Sequence, residues 1–325
     1  MKECGCDTVE GFIKTLHCTS IIDTFWVKEI SEDISWERVS LYRNEFDETI
    51  SKLAFEGAGV YGQPLSLTTP EFAIDGAYQK CCTKSMDGNM WIYKRGTERY
   101  ANAGLEPYCE AISSELYSII AQNSVEYNLV DFYDKKASKC RIFTNENIGL
   151  VPYAYIGKSN ELDECLNVYS KYGSEQLFRD MIVADAVCMN ADRHSGNHGF
   201  LYGNDTMDII GMAPVYDNNV TLLAYAMAYD FDDINKYMTE YNTRIGRDWV
   251  EAARNMLTSK TRSTLINLKG YRFTFRGDDK FSKGRVKAIE SLVNQQINNI
   301  LGTSDVTLFT ADLNWEKNEI QSNTK

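Results

Sequence analysis

The sequence predicts an α+β protein of two lobes, a β-rich lobe over residues 1–147 that carries one key helix and a mostly helical lobe over residues 148–325. Three observations predict it. The 325 residues, 43% hydrophobic and 25% charged, are globular and long enough for two bodies. Short runs rich in β-branched and aromatic residues, separated by turn residues, fill the stretch from 71 to 155. From about residue 160 the apolar positions recur at helical spacing instead. A cleft is expected between the lobes.

Taken in order, QKCCTK, the turn SMDGN and MWIYKRG read as a hairpin, with Asp87-Gly88 as the turn chemistry. EPYCEAISSELYSIIAQ reads as the lobe's helix, because Pro107 suits a first helical position and Tyr108, Ile112, Leu116 and Ile119 fall on one face. VEYNLVDFY and SKCRIFT read as extended, and NENIGLVP as a connector. EQLFRDMIVADAVCMN is a helix expected to bury Leu177, Met181, Ala184 and Val187 or Cys188 on one stripe. GFLYGNDTMDIIGMAPVYD reads as a hairpin turning at Gly203-Asn204-Asp205 and ending at Asp217, and DWVEAARNML and RVKAIESLVNQQINNIL are later helices.

Composition excludes several classes. No apolar run reaches 18 residues and the N-terminus lacks the apolar core of a signal peptide, so no membrane span is expected and the default address is the cytoplasm, with export by another route left open. Nine cysteines, an odd count in which only Cys4 and Cys6 and the adjacent Cys81 and Cys82 are closely spaced, read as reduced thiols. A net charge of -12 disfavours nucleic acid as a partner. One stretch runs against that charge: between Arg244 and Lys287 there are twelve Lys or Arg and four acids. It reads as a solvated face or as a docking region for an acidic partner.

The densest chemistry lies in NADRHSGNHGF, Asn190 to Phe200, which holds two of the three histidines. Gly196 and Gly199 break a helix, so these side chains sit on a loop. Three readings compete there. His194 and His198 have the spacing of a helical zinc pair, although Gly196 between them spoils that geometry. The Asp and Asn side chains could form a self-satisfied turn. Alternatively, Asp192 and Asn197 stand five apart, the spacing that phosphoryl-transfer sites use between a base and a magnesium-binding amide. The hairpin that follows would return Asp217 to face Asn197 and offer a hard cation oxygen ligands.

A second half would lie in the β-rich lobe. Lys94 in MWIYKRG could hold phosphates, or simply snorkel from its strand. Glu110, sixteen residues on, is its candidate acidic partner, with Glu106 and Glu115 in reserve. AIDGAYQK offers Gly76, Ala77, Tyr78 and Lys80, whose amides and ammonium could cover phosphates, although no G-K-[ST] opens a helix there.

With those residues in view, Asn190-Ala191-Asp192-Arg193-His194-Ser195-Gly196-Asn197 resembles the N-x-D-R-H-x-x-N catalytic loop of the HipA-like serine/threonine kinases, and Pro214-Val215-Tyr216-Asp217 resembles their metal-binding P-x-Y-D. Ala73 to Lys80 is similar to their S-x-x-G-A-Q-x-K phosphate loop, and WIYK to their strand lysine. The resemblance spans residues 70 to 230, and the chain's length points to the short branch of the family. It implies a two-lobed protein-kinase-like fold, ATP and Mg2+ as cofactors, and a protein serine or threonine as acceptor. It makes Asp192 the base, Asn197 and Asp217 the magnesium ligands, Lys94 with Glu110 the nucleotide lysine and its partner, and the Gly76 region with Lys80 the phosphate cover. His194 enters as a catalytic-loop residue that bonds backbone, and Arg193 as a partner for Asp217 or a phosphate. Two departures stand out: Ala73 replaces a serine at which some members phosphorylate themselves, and Tyr78 replaces the glutamine. A magnesium-dependent phosphohydrolase, a small-molecule kinase and an inactive binding module are the alternatives.

Overall fold

The computed structural model describes residues 8–56, 69–70, 78–98 and 103–302. The chain divides into two compact units that interleave along the sequence: residues 1–97, 128–151 and 200–210 form the first, and residues 98–127, 152–199 and 211–325 the second.

The first unit opens with three helices, α1 (Val9–Leu16), α2 (Trp36–Val39) and α3 (Glu48–Glu56). Asp47 starts α3 by accepting the amides of Thr49 and Ile50, two donors that a helix N-terminus leaves without internal partners. A four-stranded antiparallel sheet follows, from β1 (Lys80–Lys84), β2 (Met90–Arg95), β3 (Asn128–Phe132) and β4 (Lys135–Arg141), in the order β1-β2-β4-β3. The β1–β2 hairpin closes as the sequence predicts: the Ser85 amide donates to the Asn89 carbonyl at 2.9 Å, and Gly88 takes the φ of 80° that a side chain would resist. Between β3 and β4 the two-residue turn Tyr133-Asp134 has both φ values positive, 45° and 58°, which matches the twist of the strands it joins.

The two faces of this sheet differ. Cys81, Tyr93, Ala137 and Val130 pack against Phe55 of α3, and buried Arg95 donates to the carbonyls of Phe55 and Glu56, tying off carbonyls at the end of that helix. On the opposite face Cys82 and Ile92 meet Ile21 and Leu41, and the next rung along carries Lys80, Lys94 and Ser138 as register partners. A second sheet has the order β5 (Ile148–Pro152), β6 (Gly199–Gly203), β7 (Ile209–Met212). The segment expected to be a connector is therefore the strand β5. It passes close to its neighbours, since a Cβ on Gly149 would lie 2.5 Å from Asn204 Oδ1 and 2.6 Å from the Tyr202 ring. The β6–β7 hairpin matches expectation.

The second unit is helical: α4 (Glu106–Ile120), α5 (Leu162–Lys171), α6 (Glu175–Cys188), α7 (Ile234–Glu240), α8 (Trp249–Met256), α9 (Ser259–Asn267) and α10 (Lys283–Leu301). Asp248, Thr258 and Ser282 cap the last three of these through their side-chain oxygens. α6 is the centre, packed by α4, α5, α8 and α10. Every residue from Asp180 to Cys188 is buried, while Leu177 is only half-buried, so the single apolar stripe expected for α6 is replaced by burial all round. On α4 Ile119 is 40% exposed and Ile120 takes the buried place instead. Among the described residues no helix is long and apolar enough to cross a membrane. The seven described cysteines are free thiols.

Candidate functional site

α6 ends without a glycine. Met189 adopts φ 54°, and the Asn190 amide reaches back to the Asp185 carbonyl at 2.9 Å, closing a Schellman-type turn. A left-handed non-glycine residue costs about 1–2 kcal/mol, and that cost is borne where the chain must leave the core for the loop of Asn190 to Asn197.

Most of the polar groups in that loop are consumed in bracing it. Asn190 accepts the Asp192 amide at 3.0 Å and donates to Asp185 Oδ1 at 3.1 Å and to the Tyr117 hydroxyl at 3.2 Å. Arg193 is wholly buried and is the hub. Its Nε and Nη2 grip the Asp185 carboxylate at 2.9 and 3.0 Å, its Nη1 donates to the carbonyls of Asn197 at 2.7 Å and Tyr216 at 2.6 Å, and Nη2 also reaches Asn218 Oδ1. One guanidinium thus joins α6, the loop and the strand end that leads to Asp217. A second tie runs from the Tyr216 hydroxyl to the Gly196 carbonyl at 2.9 Å. The partner expected for Arg193, Asp217 or a phosphate, is corrected: Asp185 takes the role, because a fully buried cation needs a buried anion.

Three oxygen-bearing side chains, Asn197, Asp217 and Asp192, lie on the segments that this brace ties together. Asn197 spends its carboxamide nitrogen on the Asp192 carbonyl at 3.0 Å, which leaves its Oδ1 as the group's remaining ligand atom. Asp217 is half-buried, and its amide donates to the Tyr127 hydroxyl at 3.0 Å. Its φ of 57° is one of three left-handed non-glycine conformations in this stretch, with Leu222 at 49° and Leu223 at 58°. Such strain, about 1–3 kcal/mol each, concentrates at functional sites. Asp192 is the third. Burial raises its pKa above the ordinary aspartate value, the neighbouring Asp217 charge raises it further, and Arg244, His194 and Arg193 oppose the rise. Asp192 and Asp217 therefore lie close enough to repel. Arg244 holds Asp192 Oδ1 at 2.9 Å and donates from Nε to the Ala191 carbonyl at 3.2 Å.

The histidines do other work. His194 Nδ1 accepts the Gly196 amide at 3.0 Å, so it shapes the loop. His198 is buried, lies 2.7 Å from the Tyr169 hydroxyl through Nδ1 and stacks on Tyr153 at 4.8 Å; burial pushes its pKa down to about 3, and it is neutral. With one ring turned to its own loop and the other locked among tyrosines, the zinc pairing loses its geometry. An Asn–Asp oxygen pair instead suits Mg2+, which takes few protein ligands and keeps room for water and phosphate oxygens.

In the first unit Lys80 and Lys94 are directly opposed on β1 and β2. Tyr78 is half-buried just before β1. Gly76 and Ala77 lie outside the described residues. In the second unit Glu110 is fully buried in the second turn of α4, Glu106 is buried in the first, and Glu115 is committed to the loop of Tyr271 and Thr274. Sequence reasoning misses Asp185, Tyr117, Tyr127, Asn218 and Arg244. Only Asp185 leaves a signal, as an acid set within the apolar run VADAV of a helix.

No protein-family model matches the sequence, and no curated protein matches it. Among solved structures, the Helicobacter pylori proinflammatory kinase CtkA matches 71% of this chain and 92% of its own, at 16% identity and a TM-score of 0.52. The Shewanella oneidensis MR-1 toxin–antitoxin system HipA, HipB with operator DNA matches 70% of this chain and 65% of that one, at 12% identity and a TM-score of 0.44. Over some seven-tenths of its length the chain thus has the α+β, kinase-like fold of the Helicobacter pylori kinase CtkA.

Proposed function

We propose that the chain is an ATP- and Mg2+-dependent protein serine/threonine kinase. The observation that supports this reading is the Arg193 brace, which ties the loop bearing Asp192 and Asn197 to the segment that leads into Asp217, in the residue order of a kinase catalytic loop and its metal-binding aspartate. Asp192 accepts the proton of the acceptor hydroxyl while that oxygen attacks the γ-phosphorus, the bond to the bridging oxygen breaks and ADP leaves. Asn197 Oδ1 and the Asp217 carboxylate would hold Mg2+, which when bound neutralises charge on the phosphate oxygens. Lys94, paired with Glu110, and Lys80 with the Gly76–Ala77–Tyr78 segment bind the phosphates. His194 and Arg193 position the loop. The lobe boundary near residues 147 and 148 belongs to the same proposal, as do the acceptor's serine or threonine and autophosphorylation at a site other than Ala73.

Incubation with γ-labelled ATP and Mg2+, followed by mass spectrometry, tests the reading. Label on a serine or threonine of this chain or of an added protein supports it. Release of free phosphate alone makes the chain a phosphohydrolase, label on a small molecule makes it a small-molecule kinase, and nucleotide binding without turnover makes it a binding module.

Arg244 gives a pH-dependent corollary. Activity requires ionised Asp192, so the rate falls as pH drops through its pKa, and Arg244 holds that pKa down. Arg244→Gln is expected to move the acid limb of the kcat/KM profile to higher pH, because the opposing charge is gone. An acid limb that stays in place or moves lower contradicts Asp192 as the base.

A further inference from the structure

The basic stretch between Arg244 and Lys287 contains a built groove that phosphoryl transfer leaves unused. It has a volume of about 680 Å³ and lies, within the second unit, between α10 and the loop after α9. Its cationic lining is Arg272 and Arg276 from the loop and Lys283 and Lys287 from α10, against one carboxylate, Glu290.

Side chains that could neutralise these cations are occupied in shaping the wall. Asn294 accepts the amides of Gly270 at 2.6 Å and Tyr271 at 3.1 Å and donates to the Tyr271 carbonyl at 3.0 Å. Glu290 accepts the Phe273 amide at 3.0 Å and touches Arg276 at 3.4 Å. Glu115, from α4, accepts the Tyr271 hydroxyl and the Thr274 amide, both at 2.9 Å. The loop is stapled from two helices: Glu115 and Glu290 are spent on its backbone, hydroxyl and Arg276 donors, and Asp278, within the loop, accepts the Tyr108 hydroxyl and the amides of Lys280 and Phe281. Arg272, Lys283 and Lys287 are exposed and form no ion pair among the described residues. A net cationic, preorganised groove on a chain of net charge -12 is a local reversal of field that attracts and orients an anion.

We infer that this groove docks an acidic, extended segment of a partner protein. Two features select that occupant. Lys283 and Lys287 stand one helical turn apart, about 6 Å along α10. That matches carboxylates on alternate residues of an extended chain, about 6.6 Å apart. Arg272 and Arg276 add planar forks suited to bidentate carboxylates. Nucleic acid, the other polyanion, carries a far denser charge than a peptide and would meet correspondingly more repulsion from the chain's net charge. Docking rests on the groove alone, so it stands or falls separately from phosphoryl transfer.

The test is fluorescence anisotropy of the full chain, without nucleotide, with a labelled peptide carrying glutamate at alternate positions. Saturable, salt-sensitive binding is expected, with no binding of the glutamine version. Lys283→Glu with Lys287→Glu should weaken it by about tenfold or more, whereas Lys171→Glu with Lys236→Glu, the same charge change on exposed lysines outside the groove, should weaken it by about twofold at most. Unchanged circular dichroism and urea midpoints check that both variants fold. Equal loss in the two variants, absence of binding, displacement by a single-stranded oligonucleotide of equal charge at lower concentration, or self-association lost only in the groove variant each overturns the inference.

Discussion

Arg193→Met is expected to destabilise the second unit by about 3–5 kcal/mol and to abolish any phosphoryl transfer, although Arg193 is placed to touch neither nucleotide nor acceptor. Removing the guanidinium strands the Asp185 carboxylate in the core with Tyr117 and Asn190 as its remaining side-chain partners among the described residues. It also unpairs the carbonyls of Asn197 and Tyr216, which the same nitrogen holds. Arg193→Lys should recover the charge but not the fork, and so only part of the loss, because an ammonium cannot reproduce this set of planar bonds. The double variant Arg193→Met with Asp185→Leu should be more stable than Arg193→Met alone, since no buried charge is left over. Activity should stay absent in it, because the ties to Asn197 and Tyr216 are not rebuilt. Urea unfolding read by hydrogen exchange at α6 amides separates the second unit from the first. A destabilisation below about 1 kcal/mol would show that water replaces the guanidinium and that the brace is not structural.

That brace marks how far the sequence can be read. The order of Lys94, Asp192, Asn197 and Asp217 is visible because the kinase pattern places those residue types in that order, and the hairpins are visible because turn residues punctuate them. What holds the loop is not. Asp185 lies five residues before Asn190 and on the far side of the αL turn at Met189, so nothing in local spacing announces that it pairs with Arg193. An aspartate inside VADAV must find a partner, but the pattern cannot say which. Arg244 is 52 residues beyond Asp192 and meets it only through the packing of α8 against α6 and the chain entering α8. β5 reads as a connector because Gly149 and Pro152 look like breakers; the glycine is there because Tyr202 and Asn204 approach too closely for a side chain. The stripe on α6 fails for a related reason. From Asp180 onward a helix flanked by α4, α5, α8 and α10 has no solvent face to keep polar, and periodicity then carries little information.

Asp192→Asn and Asp217→Asn should separate the two roles that the proposed reading assigns to these aspartates. Asn at 192 keeps the size and one acceptor oxygen but cannot take a proton, so turnover should fall by about 10²-fold to 10⁴-fold. Nucleotide affinity should change little, since on the proposed reading Asp192 faces the acceptor hydroxyl. At 217 the choice of substitute matters. Alanine would strain at φ 57°, confusing backbone with ligand effects, whereas asparagine tolerates the left-handed region and removes only the charge. Asp217→Asn should therefore lose the Mg2+-dependent part of ATP binding while the Mg2+-independent part, which the proposed reading gives to Lys80 and Lys94, persists. It should also lower the Asp192 pKa, because the charge that opposes ionisation of Asp192 is gone. Calorimetric titration with ATP, with and without Mg2+, reads the first effect, and the pH dependence of a residual rate reads the second. If Asp192→Asn weakened Mg2+-dependent binding and Asp217→Asn left it intact, the ligand and base assignments would have to be exchanged, and the chain order that carries the kinase reading would no longer fit.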